Sequence, residues 1–289
     1  MRGRRRRGQP AGTRYDHASQ RSAGTVIQEY STSFGWASRL LHEPVRTHVR
    51  SLYALVRIAD EIVDDPALDL ADEGRLQMLE ALEQQTAQAI AQGRSTNLVV
   101  HAFALAAREH GIGQELIGPF FASMRADLEI ATHDEASLAE YVHGSAEVVG
   151  LMCLRVFVAG DDAQYERLRE PARALGSAFQ KVNFLRDLAE DHDQLGRSYF
   201  PGLDPEDFDD AQRDVLLDEI DAELELARTA IGQLPASSRS AVAAAHGLYR
   251  ALSERLRATP AARIREARVR VPDHHKVRIL AQVLIGGRS

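Results

Sequence analysis

Apolar residues recur at the spacing of an amphipathic helix along nearly all of the 289-residue chain. No segment shows the strict apolar–polar alternation of a half-buried strand, and no Ser/Gly-rich linker divides the body. The sequence therefore predicts an all-α, single-domain body over residues 23–289. Its helices are predicted over residues 25–41, 44–65, 72–92, 95–110, 114–131, 137–159, 164–192, 211–233, 237–258 and 273–285.

Basic residues are concentrated at both ends of a chain whose formal net charge is −7. Low hydrophobicity and the run Arg4–Arg7 predict a disordered basic tail over residues 1–22, and contact of this tail with nucleic acid or anionic lipid is the alternative. No apolar segment follows the arginines, as a secretory signal would require, and no apolar run is long enough to span a membrane. The single cysteine, Cys153, excludes an internal disulfide. We expect a cytoplasmic protein without a nucleic-acid partner.

Two aspartates lie four residues apart in the segment RIADEIVDD, at Asp60 and Asp64. Residues at this spacing are neighbours on one helix face, so the two carboxylates can share a metal ion or bind adjacent ions. Their mostly apolar neighbours leave little solvated surface, and an unpaired buried carboxylate is costly. The alternative is an exposed acidic face that pairs with Arg57.

A second polar row lies in FQKVNFLRDLAEDHD, where Asn183, Asp187 and Asp191 recur every four residues. The row offers oxygen ligands alone, which suit Mg²⁺ or Mn²⁺ with phosphate oxygens completing the coordination. Side chains that could contact a phosphate flank it: Gln180, Arg186, Arg197 and Tyr199. Two such rows predict a site that holds divalent cations against a diphosphate. The alternative is a salt-bridged amphipathic helix.

Four segments in matching order resemble the squalene/phytoene synthase family between about Tyr30 and Lys276. NFLRDLAED followed by GRSYFP is similar to the second signature of that family, and RIADEIVDD is similar to its first aspartate-rich motif. YSTSFGWASRLL resembles its N-terminal segment, and YVHGSAEVVGLM resembles a further helix. The resemblance implies an all-α class I isoprenoid synthase fold with a central cavity, and prenyltransferase activity.

The resemblance also implies roles for individual residues. Metal ligands would be Asp60, Asp64, Asn183 and Asp187, and Asp191 would be a further ligand or a group that supports the ligands. The catalytic carboxylates would be Asp60, Asp64, Asp187 and Asp191. Substrate contacts would come from Ser31, Ser33, Phe34, Tyr53, Arg57, Gln180, Arg186 and Tyr249. Thr32 stands where many relatives have lysine, which removes one phosphate-binding cation. Gly35-Trp36 replaces the more usual bulky residue after Phe34.

The expected reaction is the head-to-head condensation of two prenyl diphosphates through a cyclopropylcarbinyl diphosphate. An apolar cavity would exclude water from the allylic cation. Candidate wall residues are Phe34, Val149, Leu151, Met152, Leu154 and Phe179, and ordinary helix packing is the alternative for each.

The form DEIVD resembles the phytoene synthase variant of the first motif. It favours two geranylgeranyl diphosphates as substrates, with NADPH not expected. Farnesyl diphosphate and a C30 product are the alternative within the family. A class I terpene cyclase and a non-catalytic assembly factor of the same fold are alternatives from other classes. The lipophilic product and the basic C-terminal segment suggest peripheral contact with the inner face of the membrane, whereas pairing of those arginines with the acidic body would leave no such contact.

Overall fold

A computed structural model of the chain describes residues 12–30, 32–65, 67–195, 198–204 and 207–286, with side chains described except at 32–34, 190–195 and 284–286. The described residues form the helices α1 Arg14–Tyr30, α2 Thr32–Ser38, α3 Val45–Asp64, α4 Asp72–Gln92, α5 Leu98–His110, α6 Gln114–Glu129, α7 Glu135–Val142, α8 Val148–Val158, α9 Asp162–Leu195, α10 Asp210–Ile231, α11 Ala236–Arg257, α12 Ala261–Ile264 and α13 Asp273–Gly286. A π-helical turn, His143–Glu147, joins α7 to α8.

The predicted all-α fold is confirmed, because about 79% of the described residues are helical and none of them forms a strand. Local capping explains several helix starts. The Asn97 side chain accepts hydrogen bonds from the first amides of α5, and Asp134 and Asp209 form capping boxes at α7 and α10. Glycines at positive φ, Gly93 and Gly111, end α4 and α5.

The prediction of a disordered tail through residue 22 is wrong for residues 14–22, which belong to α1. Asp16 Oδ1 lies 2.7 Å from Nε2 of the buried His101, and the Tyr15 hydroxyl donates to the Ser95 carbonyl. Ser19 is fully buried. The composition of residues 1–22 as a whole is dominated by the arginine run, so it does not show that residues 14–22 have partners. Those partners become neighbours only in the folded chain. Residues 1–11, including Arg4–Arg7, lie outside the described residues.

Two predicted helices are divided in the structure. The helix expected over 25–41 is α1 and α2, and the helix expected over 137–159 is α7, the π-helical turn and α8. The π-helical turn lies directly against α6: a Cβ on Gly144 would lie 2.2 Å from the Pro119 carbonyl oxygen. Helical periodicity cannot register such a local change of hydrogen bonding. The short helix α12 was not predicted.

The π-helical turn and α8 approach α9 so closely that glycine is required at the contact. A Cβ on Gly150 would lie 2.8 Å from the Ala172 carbonyl oxygen, and one on Gly176 would lie 2.6 Å from the Ala146 carbonyl oxygen. This contact lies beside two buried clusters. One includes apolar residues of α3, α5, α6 and α8, and the other includes residues of α9, α10 and α11. The central cavity described below lies between these helices.

We expect Gly176→Ala to lower the free energy of unfolding by about 2 kcal/mol, because the added methyl group forces two packed backbones apart. Urea denaturation followed by circular dichroism measures the change. Gly24→Ala is the matched control, since Gly24 lies inside α1 with no atom within 4 Å of the added Cβ. Its stability should be unchanged or slightly higher. Equal stability of the two variants would contradict the close packing.

The prediction that no apolar run is long enough to span a membrane is wrong by length and composition, because the continuous helical run Glu135–Val158 meets both criteria. Of its qualifying 18-residue window, 56% is buried inside the structure. It packs against α6 and α9 and so has the setting of a core element. Several basic side chains of the C-terminal region pair with acidic groups, among them Arg257 with Asp218 and Asp221. These ion pairs match the alternative in which the arginines of the C-terminal segment pair with the acidic body. Membrane contact stays a prediction.

Candidate active site

A central cavity of about 550 Å³ lies between α3, α6, α8, α9, α10 and α11. This volume falls within the range of small-molecule sites. Polar groups from the C-terminal halves of α3 and α9 together line one end. Small and aliphatic side chains line much of the rest, among them Leu168, Ala230, Leu234, Ala241 and Val242. The cavity therefore suits a molecule with a charged head and a long apolar tail.

The polar end gathers oxygen ligands from three helices. Asp60 and Asp64 extend from α3, Asp127 from α6, and Asn183 and Asp187 from α9. Burial, together with the neighbouring carboxylates of Asp64 and Asp127, raises the pKa of Asp60 to about 8, while Arg57 opposes the shift. Mutual repulsion among these carboxylates makes the metal-free site unfavourable for negative charge. A bound cation would relieve that repulsion.

Two guanidinium groups contact Asp187 in the absence of a cation. Arg186 Nε lies 2.8 Å and Arg268 Nε lies 2.9 Å from Asp187 Oδ1. Arg268 follows α12, so the C-terminal part of the chain reaches back to the α9 row. Because all three residues line the cavity, these guanidinium groups can exchange Asp187 for phosphate oxygens when a diphosphate binds.

Arg57 lies one turn before Asp60 and pairs with Glu61. Its guanidinium stacks over the Tyr30 ring, 4.8 Å from the centroid. The carboxylates of Asp60 and Glu61 raise its pKa although burial opposes the shift. Glu61, which does not line the cavity, thus orients the cavity-lining Arg57 guanidinium.

Tyr249 of α11 contacts the α9 row from the other side. Its hydroxyl donates to Asn183 Oδ1 at 3.4 Å, and its ring stacks on Phe179. Burial raises the pKa of Tyr249, so the phenol stays protonated. The hydrogen bond leaves the second lone pair of the Asn183 amide oxygen for another partner.

An aromatic group covers the cavity beside the carboxylates. Tyr199 stacks on Phe184, with ring centroids 3.9 Å apart, and lies 5.4 Å from Tyr141. The Tyr141 hydroxyl donates to Asp127 Oδ1 at 2.7 Å, and burial raises the pKa of Tyr141 well above its usual range. A hydrogen bond from the Ser198 amide to the Ala131 carbonyl fixes the segment that carries Tyr199.

Every predicted site residue whose side chain is described lines this one cavity: Tyr53, Arg57, Asp60, Asp64, Gln180, Asn183, Arg186, Asp187, Tyr199 and Tyr249. Ser31 and Arg197 lie outside the described residues, as do the side chains of Ser33, Phe34 and Asp191. The individual roles of all these residues stay predictions.

The cavity residues that sequence reasoning missed include Asp127, Tyr141 and Arg268, which contact or adjoin the carboxylates. Asp127 has no second acidic residue one turn away that would form a row. Tyr141 is the first residue of the segment YVHGSAEVVGLM, and the resemblance of this segment to a helix of the family assigns no role to an individual residue. Arg268 is one of several basic residues in its segment, and the sequence does not distinguish it from them. Asp127, Tyr141 and Arg268 are recognised as cavity residues only from their tertiary contacts.

The predicted apolar wall is partly wrong along α8. Leu154 and Phe179 line the cavity, but Val149, Leu151 and Met152 do not. The cavity face of α8 consists of Gly150, Cys153, Leu154 and Phe157. Close packing of α8 on α9 sets this rotation, which an all-apolar helix cannot reveal by periodicity. Burial raises the pKa of the Cys153 thiol to about 12, so it is neither a nucleophile nor a soft metal ligand.

The donor set at the polar end fits magnesium-type ions. Asp60, Asp64, Asp127, Asn183 and Asp187 offer oxygen ligands, and the raised pKa of Asp60 marks excess negative charge there. Hard divalent cations prefer such ligands and keep coordination positions for water and phosphate oxygens.

The sequence profile of the squalene/phytoene synthase family matches residues 27–275. The chain is 31% identical over 253 residues to the 15-cis-phytoene synthase of Paracoccus sp. (strain N81106 / MBIC 01143), with 80% of each chain covered. It is 28% identical over 201 residues to the 4,4'-diapophytoene synthase of Staphylococcus haemolyticus (strain JCSC1435), with 67% of each covered.

Solved structures show the same fold. A dehydrosqualene synthase crystallised with a ligand superposes with a TM-score of 0.79 at 21% identity, covering 94% of this chain and 98% of that one. The squalene synthase from Alicyclobacillus acidocaldarius gives a TM-score of 0.69 at 23% identity, covering 87% of this chain and 94% of that one.

Proposed function

Because the chain belongs to the squalene/phytoene synthase family of prenyltransferases, we propose that it joins two geranylgeranyl diphosphates head to head to form phytoene. Head-to-head condensation of prenyl diphosphates is the chemistry of the family, and its members depend on divalent metal ions. The choice of the C20 substrate, the Mg²⁺ or Mn²⁺ ions and independence from NADPH are parts of this proposal.

The proposal depends chiefly on one observation: two carboxylate rows from different helices line one largely apolar cavity. Asp60 and Asp64 form one row, and Asn183 and Asp187 form the other. Bound divalent ions would stabilise the negative charge of the departing diphosphate. Arg57, Arg186 and Arg268 supply cationic donors at the same end. Charge stabilisation concentrated at one end favours breaking the allylic C–O bond there.

The remaining steps require a site without water. After the first diphosphate leaves, the allylic cation must react with the double bond of the second substrate, which yields the cyclopropylcarbinyl diphosphate and releases a proton. Loss of its diphosphate, rearrangement and loss of a second proton give the conjugated hydrocarbon. Cavity walls of aliphatic and aromatic side chains, such as Leu154, Phe157 and Phe179, exclude water from these cations.

Cavity length supports the C20 substrate. The cavity-lining residues of α9 extend from Leu168 to Asp187, which corresponds to about 28 Å along the helix axis. With C–C bonds of about 1.5 Å, an extended geranylgeranyl chain measures about 20 Å and a farnesyl chain about 15 Å. The small residues Ala230 and Ala241 keep the apolar end open.

A C30 synthase that uses farnesyl diphosphate is the second candidate. Its support is the similarity to the diapophytoene synthase and to the dehydrosqualene synthase structure. A shorter chain also fits a longer cavity. Preference for the C20 substrate is therefore measured by the ratio of the kcat/KM values for the two diphosphates, and contacts at the apolar end contribute to that ratio.

Product analysis separates these candidates. Purified protein with Mg²⁺ and geranylgeranyl diphosphate should give phytoene with or without NADPH, and EDTA should abolish product formation. Parallel assays with farnesyl diphosphate measure the competing kcat/KM by mass spectrometry. A higher kcat/KM with farnesyl diphosphate would assign the C30 reaction. Cyclic products from a single substrate would indicate a terpene cyclase. Absence of product from both would support a non-catalytic protein. A cytoplasmic location, with peripheral membrane contact, stays a prediction.

A further inference from the structure

A second group of potential metal ligands lies away from the cavity, where the first turn of α3 meets the last turn of α5. It consists of His48 on α3 and Glu109 and His110 on α5. None of the three lines the active-site cavity. Both histidines are buried, whereas the Glu109 side chain is 34% exposed. The cluster thus has a dry interior side and an opening to solvent.

The three side chains face one another. His110 Nε2 lies 2.7 Å from His48 Nδ1, so one shared proton joins the two imidazoles. The Glu109 carboxylate lies 3.6 Å from His48 Nε2 and 4.0 Å from His110 Nε2. Neither contact to Glu109 is a close hydrogen bond. Within the described part of the chain, no lysine or arginine lies within ion-pair distance of this carboxylate.

The charges of the cluster are therefore unbalanced. Burial lowers the pKa of His48 and of His110, so both imidazoles are neutral near pH 7. The partly exposed Glu109 carboxylate then faces two neutral nitrogen bases. A cation at the centre would pair with this carboxylate and would use the imidazole lone pairs that point inward.

We propose that His48, Glu109 and His110 bind a zinc-type divalent transition-metal ion, with water as the fourth ligand. Two imidazoles and one carboxylate are a ligand set that zinc uses with an open fourth position. Bonds of about 2.0–2.1 Å place tetrahedral ligand atoms roughly 3.3 Å apart. The ligand atoms of the three side chains lie within 4.8 Å of one another, so side-chain rotations that bring them closer by up to about 1.5 Å would complete the site. The hydrogen bond between the histidines would be exchanged for the metal bonds.

The ligand types separate this site from the one in the cavity. Imidazole nitrogen favours zinc-type ions, whereas the oxygen-only set of Asp60, Asp64, Asn183 and Asp187 favours Mg²⁺. A zinc ion at the α3–α5 contact would hold the start of the helix whose other end carries Asp60 and Asp64. Because the ion binds only the folded chain, it would raise stability without taking part in the reaction. The proposal does not depend on which prenyl diphosphate is the substrate.

Zinc binding is tested with the full chain after removal of metals by EDTA and dialysis. Isothermal titration with Zn²⁺ in excess Mg²⁺, followed by metal analysis after gel filtration, gives the stoichiometry. We expect one tightly bound zinc ion and a higher Tm. Glu109→Gln and His48→Gln should each weaken zinc binding at least ~10-fold. His143→Gln is the matched control, because His143 also faces a glutamate, at 2.8 Å, but lies in the π-helical turn.

Two further measurements locate the ion. The variant Asp60→Asn lacks a cavity carboxylate and should retain zinc. In the wild-type chain, Co²⁺ in place of zinc should give the visible absorption of a four-coordinate site. Circular dichroism establishes folding, and the partly exposed Glu109 provides a test if His48→Gln fails to fold. Retention of zinc by Glu109→Gln, its loss from Asp60→Asn, or its absence from the wild-type chain would overturn the proposal.

Discussion

Asp60→Asn should lower turnover at least ~10³-fold and yet raise the Tm of the metal-free protein at pH 8. The first effect follows from the loss of a carboxylate from the group that would bind the divalent ions, where a loss of about 4 kcal/mol corresponds to three orders of magnitude in rate. The higher Tm follows from the location of the Asp60 carboxyl, because it is buried beside the carboxylates of Asp64 and Asp127.

The sign of the stability effect follows from the raised pKa. The pKa of Asp60 is about 8 in the folded chain and near the ordinary value of 3.8 in the unfolded chain. Between these values the folded state holds a proton that the unfolded state has released, so stability falls as pH rises. This loss is complete above about pH 8. Asparagine is neutral at every pH and removes this contribution.

Steady-state assays with saturating Mg²⁺ measure the first effect, and thermal unfolding in EDTA between pH 6 and pH 9 measures the second. Added Mg²⁺ should raise the Tm of the wild-type chain more than that of the variant. Asp65→Asn is the matched control, because Asp65 carries the same charge next to Asp64 but does not line the cavity. Equal activity of the Asp60 variant and wild type would remove Asp60 from the metal site.

Ala241→Phe should reduce kcat/KM for geranylgeranyl diphosphate at least ~10-fold while largely preserving kcat/KM for farnesyl diphosphate. Ala241 lines the cavity and packs in one buried cluster with Leu168, Ala230 and Leu234. A phenyl ring there would shorten the apolar end, and overpacking against a longer tail costs about 1–3 kcal/mol. The carboxylates of the other end would be unchanged.

Paired kinetics with the two substrates check this result, and the farnesyl activity of the variant is its internal control for folding. The series Ala241→Val, Ala241→Leu and Ala241→Phe should change the ratio of the two kcat/KM values progressively. An equal loss with both substrates would show that Ala241 does not limit tail length. Unchanged kcat/KM values for both substrates would place the ends of both tails elsewhere in the cavity.

Helical periodicity predicted most of the secondary structure because long amphipathic segments carry their own pattern, and the resulting all-α fold and the family resemblance are confirmed. The errors have local causes. Residues 14–22 form helix because Asp16 and Tyr15 find partners on and before α5, and the π-helical turn depends on the contact of Gly144 with α6. Neither cause can be read from the residues beside it.

The sequence by itself determined which carboxylates and amides stand one helical turn apart, since that spacing is a property of a single helix. It therefore predicted Asp60 with Asp64, and Asn183 with Asp187, as two rows. Only the tertiary structure decided that both rows share one cavity end, and that Asp127, Tyr141 and Arg268 join them. It also decided which face of α8 lines the apolar wall. These choices depend on how helices pack across the core, where residues far apart in the chain become neighbours.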